Sequence, residues 1–573
     1  MKTSNFLRLE LSCTFAVLGL LSAVPASAQT PDQIGQWQSL NNWGFYPVHN
    51  HVLPTGKVMI WSGDGDVVGN SPQLWDPTNQ TLSPLGQIGY NAFCSGHAFL
   101  GDGRLFVAGG HNGVNASANG DGVPYASVYD PFANTWASAP DMNAGRWYPT
   151  VTTLANGDAL VVSGTMNTSY ANNTLPQVYQ AATNTWRNLS NAQLGLDLYP
   201  MMFLAPNGKV INVGPTQTTR YLDTANAGTW SNLATRNFGD RNYGSAVIFD
   251  GKILVMGGGD PPTNTAELID LNQASPTWQS VASMSVARRQ LNATLLPDGT
   301  VLVTGGTSGS GFNNATNAVF TAELWDPANP NSSWKTLART STGFPRIYHS
   351  AAALLPDGRV LVTGGNGQNI QELYSPPYLF KGARPSISSA PSTISYGQTF
   401  SVQSPDAAAI SKVTLIRLTS VTHAFNENQR LNTLNFKPGA TTGTLDIATP
   451  GSGNNAPPGH YLLFLVNSNG VPSVGKIVRL TAGTTPPTQR FTLTVSKSGY
   501  QTGKATVTSN PAGINCGNTC AATFNGGTGV TLTAVPFSNS VFAGWSGACS
   551  GTSPTCAVTM DASKGVAATF KRK

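Results

Sequence analysis

A chain of 573 residues with a formal net charge of +6 is long enough for several domains and a sizeable buried core. Charged residues make up 10% of it, against roughly 25% in an average soluble domain, and 61 Gly and 38 Pro accompany them, a balance that suits an exported all-β protein. No long Lys/Arg run or charge block is present, so nucleic-acid binding and charged interaction tails are not expected. In chain order, Lys2 and Arg8 precede an apolar run from Cys13 to Val24, and Ala26-Ser27-Ala28 follows. This reads as a signal peptide over residues 1–28, so the mature protein is expected to be secreted, periplasmic or at the cell surface, in a bacterium. The run is too short to span a bilayer comfortably and none later is longer, so no membrane span is expected after cleavage. Cys94 stands more than 400 residues from the next cysteine, whereas Cys516, Cys520, Cys549 and Cys556 crowd into the last 60 residues. Four cysteines in a small exported module point to two disulfides with three pairings open; zinc is the rival, but no His accompanies them.

One unit recurs from about residue 40 to 380: an apolar strand, a tight turn ending in Gly, a second apolar strand, then usually Gly-Gly. The turns are Thr55-Gly56, Asp102-Gly103, Asn156-Gly157, Asn207-Gly208, Asp250-Gly251, Asp298-Gly299 and Asp357-Gly358. Asn-Gly and Asp-Gly favour hairpins because both residues tolerate positive φ. An aromatic-bearing strand such as Leu74-Trp75-Asp76-Pro77 and a Trp such as Trp136 or Trp186 complete the unit. Seven turns spaced 43 to 59 residues apart form the kelch pattern, which predicts a seven-bladed β-propeller over residues 29–384. Residues 385–481 keep strand-like runs without the repeat and are expected to form an immunoglobulin-like β-sandwich. Residues 482–489 read as a linker. Residues 490–573 form a small disulfide-bearing β module that resembles bacterial surface repeat domains through Gly544-Trp545-Ser546-Gly547.

Equivalent positions in different blades share one rim. The residue nine before each turn glycine is Pro47, Cys94, Tyr148, Tyr199, Asn242, Gln290 and His349; the one before that is Tyr46, Phe93, Trp147, Leu198, Arg241, Arg289 and Tyr348. Register alone therefore gathers a thiol, two phenols and an imidazole (Cys94, Tyr148, Tyr348, His349) at one mouth of the central channel. Nitrogen and oxygen donors of this kind suit Cu(II); the alternative is that these aromatics only pack.

Phe93-Cys94-Ser95-Gly96, Arg146-Trp147-Tyr148-Pro149, Arg346-Ile347-Tyr348-His349-Ser350 and the run Thr422 to Arg430 occur in the order found in the copper radical oxidases, and over about residues 40–481 the chain resembles that family of galactose and glyoxal oxidases. The resemblance implies copper held by Tyr148, Tyr348, His349 and His423, with His423 supplied by the sandwich. It implies a thioether between Cys94 and the Tyr148 ring, forming a protein-derived radical cofactor. The implied activity is two-electron oxidation of an aldehyde or primary alcohol with O₂ reduced to H₂O₂, with Tyr348 as base and Tyr148 as hydrogen acceptor. The wording around Tyr148 and His423 leans towards glyoxal oxidase.

One position departs from the family. Eighteen residues beyond Tyr148, where galactose oxidase has a tryptophan and glyoxal oxidases a histidine, stands Met166; a sulfur–aromatic contact can still cover a ring. Phe93 and Trp147 flank the site, and Tyr199, Arg241, Asn242, Arg289 and Gln290 are candidates for substrate contact. Of the other histidines, His97 is a candidate outer-shell residue, His49 and His51 lie near the first rim, His111 reads as a loop residue and His460 as structural. Two other functions stay open: a non-catalytic propeller that binds partners at the cell surface, and an oxidase with galactose or alcohol specificity. The terminal module is a candidate for glycan or cell-surface contact.

Overall fold

The computed structural model describes residues 29–62, 70–112, 121–166, 171–481, 490–525 and 528–573. The expected signal peptide (1–28) and linker (482–489) lie outside the described residues. The fold is all-β, and among the described residues no helix is long and apolar enough to cross a membrane.

Among the described residues, seven four-stranded antiparallel meanders follow one another along the chain. Their first strands are Pro47–Val52, Gly96–Phe99, Thr150–Thr153, Met201–Leu204, Ser245–Phe249, Arg289–Leu295 and Ser350–Leu354, all buried. These strands neighbour each other in ring order, and the ring meets itself where His49 of the first strand bonds His97 of the second at 3.0 Å. The seventh meander takes its outer strand from the start of the chain: Gln36–Asn42 pairs antiparallel with Ile370–Ser375. The hairpins follow from the turn residues. In six meanders the first hairpin closes on a three-residue loop, as where Leu100 N–H donates to Arg104 O at 2.9 Å. Gly103 sits there at φ +97°, and a Cβ on it would meet the His460 ring at 2.4 Å. In the fifth, Phe249 pairs directly with Lys252, leaving the two-residue loop Asp250-Gly251 with both φ positive.

Buried arginines staple the rim of four meanders to their own third strands. Arg241 pairs with Glu267 at 2.7 Å, Arg346 with Glu372 at 3.1 Å, and Arg288 with Glu323. Arg146, with Gln177 in place of the acid, donates to Gln177 Oε1 at 3.3 Å and to Ser163 O at 2.8 Å.

Residues 385–481 form two sheets. Ile410–Arg417, Leu431–Leu434, Gly459–Asn467, Lys476–Thr481 and Thr393–Ser395 lie in one, and Thr399–Gln403, Thr444–Ala448 and Phe436–Pro438 in the other. Val413, Leu415, Leu445, Ile447, Tyr461 and Leu463 fill the core between them. The first sheet joins the fifth meander through the pair Phe249–Leu431. Residues 418–430 leave this body and enter the ring. The inner strands expose backbone groups to the channel that need partners, and this segment supplies them. Thr422 pairs with His49. Glu427 Oε2 accepts from His97 N–H (3.3 Å) and Val151 N–H (2.5 Å), Asn428 Oδ1 from Phe99 N–H (3.3 Å), and Gln429 Oε1 from Leu295 N–H (3.1 Å). Arg430 donates to Leu204 O at 2.7 Å.

The last module has two sheets of its own and a separate core around Trp545 and Phe570. Of the three open pairings the structure takes the local one, Cys516–Cys520 and Cys549–Cys556. Cys94 belongs to neither.

The staples generate a stability prediction. Glu323→Ala strands the Arg288 guanidinium in the interior, and breaking a buried pair in this way costs about 3–5 kcal/mol. Thermal denaturation is expected to show a large drop in Tm; an unchanged Tm would mean the pair does not hold the rim.

Candidate metal centre

The rim positions share a backbone signature. Cys94, Tyr148, Tyr199, Gln290 and His349 have φ of 56°, 63°, 45°, 58° and 65°, the left-handed region that non-glycine residues seldom occupy. Neighbouring rims are stitched through it: Tyr148 N–H donates to Cys94 O at 2.9 Å, Tyr199 N–H to Tyr148 O at 2.9 Å, and Gln290 N–H to Tyr243 O at 2.7 Å. In the fifth meander the rim residue is thus Tyr243 (φ 58°) and not Asn242. The Asp250-Gly251 loop is one residue shorter than the others, so counting back from its glycine overshoots by one. The sequence carried this signal: a residue such as Gly101 or Pro297 separates strand end from Asp/Asn-Gly elsewhere, but Phe249 abuts Asp250.

The same slip explains Arg241. It is not at the cavity; it is buried, with its guanidinium on Glu267, Gly257 O and Thr265. Arg289 does line the cavity, ion-paired to Asp260 at 2.7 Å with its guanidinium 5.0 Å from the Tyr243 ring centroid. Asn242 lines it too, while Gln290 is buried at the rim outside the lining.

Six side chains converge at one end of the cavity: Tyr148, Tyr199, Tyr348 and His423 line it, and Cys94 and His349 are buried against them. The hydroxyls of Tyr148 and Tyr348 are 2.5 Å apart. His349 and His423 rings stand 4.6 Å apart at 89°. Cys94 Sγ lies 3.4 Å from His423 Nε2, and Cys94, His349 and His423 offer donor atoms within 4.8 Å of one another. The Cys94 thiol is also within hydrogen-bonding reach of Tyr148. Tyr199 packs edge-on to Tyr148 at 5.0 Å and its hydroxyl donates to Ser95 O at 2.9 Å. His423 comes from the inserted segment, at φ 49° with Ala424 at 68°.

The donors are oriented for a cation. His349 Nδ1 bonds Asn366 Oδ1 at 2.7 Å and so carries the proton, which leaves Nε2 a bare acceptor. That Nε2 is buried with no hydrogen-bond partner. His423 Nδ1 bonds Thr422 Oγ1 at 2.6 Å, turning its Nε2 to the site. Burial pulls His349 down to about 3, against the Asn366 bond, and burial with neighbouring imidazoles holds His423 well below its ordinary value. Both rings are neutral, as ligation requires. Burial, then Cys94 and Tyr348, push Tyr148 well above the usual phenol range, so a cation among these groups is what would let its oxygen bear charge. Two nitrogens and two phenol oxygens suit copper. A Cys–His–His set alone would resemble an electron-transfer site, but two phenols and an adjoining cavity of about 540 Å³ make room for a substrate.

Phe93 lies edge-on to His349 at 5.4 Å. Trp147 lies against Tyr148 with ring centroids 4.5 Å apart and also lines the cavity. Among the described residues the rings around Tyr148 are Trp147, Tyr199 and His423; Met166 is not part of the cavity lining, and its amide bonds Ala171 O. The sequence reading missed Tyr243, Phe312, Asp260, Asp197 and Phe425, which also line the cavity. Phe312 and Asp260 lie in loops beyond the repeat register and carried no signal.

Comparison with known proteins places the chain among oxidases. The glyoxal oxidase N-terminus model matches residues 259–378, the galactose oxidase-like early set domain model residues 384–480, and the divergent InlB B-repeat domain model residues 494–573. Galactose oxidase of Gibberella zeae is 28% identical, over 80% of this chain and 73% of that one. Aldehyde oxidase GLOX of Vitis pseudoreticulata is 28% identical, over 80% of this chain and 99% of that one. A solved fungal alcohol oxidase in complex with copper superposes with a TM-score of 0.70 at 26% identity, covering 78% of this chain and all of that one. Along its length the chain is thus similar to galactose, glyoxal and copper-binding alcohol oxidases. These relatives are fungal and plant proteins, so they lend no support to a bacterial source.

Asn366→Ala removes the bond that orients His349. Outer-shell losses of this kind weaken metal affinity about 10–100-fold, which a Cu(II) titration of the apoprotein reads directly; wild-type affinity would strip Asn366 of the role.

Proposed function

We infer that the protein is a copper-dependent oxidase that takes two electrons from an aldehyde or primary alcohol and passes them to O₂, releasing H₂O₂. The observation that carries this is the convergence of Tyr148, Tyr348, His349, His423 and Cys94, three of which line one cavity while His349 and Cys94 are buried against them. We propose that the seven meanders are the blades of a kelch propeller and that residues 385–481 are an immunoglobulin-like domain whose loop delivers His423. Copper would be held by Tyr148, Tyr348, His349 and His423, where it supplies Lewis acidity and one of the two electron equivalents. The second is stored on the Tyr148 ring, joined to Cys94 by a thioether.

The chain's own groups do the rest. Tyr348 Oη takes the substrate hydroxyl proton. Its ring faces the cavity between Phe312 and Tyr243, with centroids 4.5 and 6.0 Å away. Tyr148 Oη accepts the hydrogen from the substrate carbon. Trp147, Tyr243 and Phe312 give the cavity apolar walls, and Arg289, Asp260 and Asn242 offer polar contacts for a small oxygenated substrate. A glyoxal-oxidase-like preference for aldehydes fits this lining, with galactose or alcohol specificity as the alternative.

The terminal module supports attachment more than catalysis. Tyr500, Lys504, Phe537 and Arg572 are exposed, with Lys504 5.1 Å from the Phe537 ring centroid and Arg572 5.9 Å from that of Tyr500. Aromatic faces beside cations are suited to a glycan, and we read the module as a surface-contact domain of a secreted protein.

Two measurements test the proposal. After copper loading in air, the peptides around Cys94 and Tyr148 are expected as one covalent pair lighter by two hydrogens, absent in Cys94→Ser. Separate peptides would remove the cofactor and leave a binding propeller. Deleting residues 482–573 is expected to leave H₂O₂ release on small aldehydes unchanged while loosening retention on cell-wall glycan; a folded truncation without activity would make the module part of the enzyme.

A further inference from the structure

Beneath the metal centre lies a file of buried side chains that the proposed chemistry does not use. His49, His51, His97 and Ser420 are all 0% exposed. Cys94 N–H donates to His49 Nε2 at 3.0 Å. That bond starts a chain in which every proton is assigned by the previous one. His49 Nε2 is an acceptor, so its proton sits on Nδ1 and is donated to His97 Nε2 at 3.0 Å. His97 therefore carries its proton on Nδ1 and donates to Ser420 Oγ at 2.7 Å. Ser420 donates to His97 O at 3.1 Å and accepts from His51 Nδ1 at 2.9 Å. Two indole–imidazole stacks, Trp61 on His49 at 4.8 Å and on His51 at 4.4 Å, hold the rings in place. Burial keeps all three imidazoles well below the ordinary value, consistent with a neutral file.

The file stands where the ring pattern fails. At three rims the left-handed residue's amide donates to the preceding rim's carbonyl: Tyr148 to Cys94 O, Tyr199 to Tyr148 O and Gln290 to Tyr243 O. The first meander has Pro47 at this position, without the left-handed conformation. The joint between first and second meanders is made instead by the His49 side chain. Cys94 at φ 56° thus depends on an imidazole for the partner its amide needs.

We propose that His49, oriented through His97 and Ser420, is a positioning residue that holds the Cys94 backbone so that its sulfur meets the Tyr148 ring for thioether formation. This rests on the cross-link named under Proposed function. Forming the bond removes one hydrogen from the thiol and one from the ring and joins sulfur to carbon; O₂ accepts the two electrons and two protons as H₂O₂.

The test follows the mass of the Cys94–Tyr148 peptide pair with time after Cu(II) is added to apoprotein in air, alongside copper stoichiometry and Tm. In His49→Ala the cross-linking rate is expected to fall about tenfold, with copper stoichiometry retained, the size of effect seen when an outer-shell partner is lost. His49→Gln, which keeps an acceptor, is expected to recover much of the rate, and it carries the test should the alanine variant not fold. Ser420→Ala is expected to slow the step less. Wild-type rates in His49→Ala, or equal slowing in His49→Gln and His49→Ala, would overturn the positioning role. A wild-type protein that never cross-links would overturn the underlying reading and this one with it.

Discussion

Backbone hydrogen bonding in the central channel is the constraint on which the rest of the structure depends. A ring of inner strands presents amide and carbonyl groups inward, where neither side chains of the ring nor bulk water can satisfy them all. The segment 418–430 answers this with a short strand on His49 and with Glu427, Asn428, Gln429 and Arg430, which between them reach four more inner strands. The contacts reach around the ring, so the segment has one depth and one rotation at which they are all made. His423 is placed by that fit. A side chain contributed from outside the seven meanders is thereby held as firmly as those on the strands.

The rim is where this rigidity is turned to use. Left-handed residues cost of order 1–3 kcal/mol each and persist only where the surroundings over-determine them. Here the surroundings are the carbonyl of the previous rim, the Arg–Glu staples just upstream, and the inserted segment below. A left-handed residue at the start of an inner strand turns its side chain over the mouth of the channel, and so Cys94, Tyr148, Tyr199 and His349 can meet although they come from four different meanders. The first meander breaks the pattern with Pro47, and an imidazole file makes good the joint beside Cys94.

The cavity divides by chemistry. One end is a set of nitrogen and phenol donors, with the bare imidazole nitrogen of His349 buried against them. Its walls mix aromatic rings with the Arg289–Asp260 pair. Burial favours the uncharged forms of these groups, so the phenol oxygens would bear charge only beside a cation.

The repeat determined most of what could be read beforehand. Asx-Gly turns at regular spacing specify hairpins through local φ/ψ preference alone, and equal spacing brings equivalent residues to one rim, so Cys94, Tyr148, Tyr348 and His349 were legible as a group. Local chemistry also indicated two disulfides, though not their pairing, since spacing cannot show which sulfurs a fold brings within bonding distance. Other features belong to tertiary structure. Tyr243 replaces Asn242 at the rim because one hairpin loop is a residue shorter, and Arg241 turns into a staple for the same reason. Phe312 and Asp260 reach the cavity from irregular loops that no period governs. The file from Cys94 to His51 exists only because Ser420, more than 300 residues away in sequence, is carried into the channel. Periodicity reports the geometry of a repeating unit; partners that arrive from outside the repeat are chosen by packing and by buried hydrogen bonds, which the order of residues does not display.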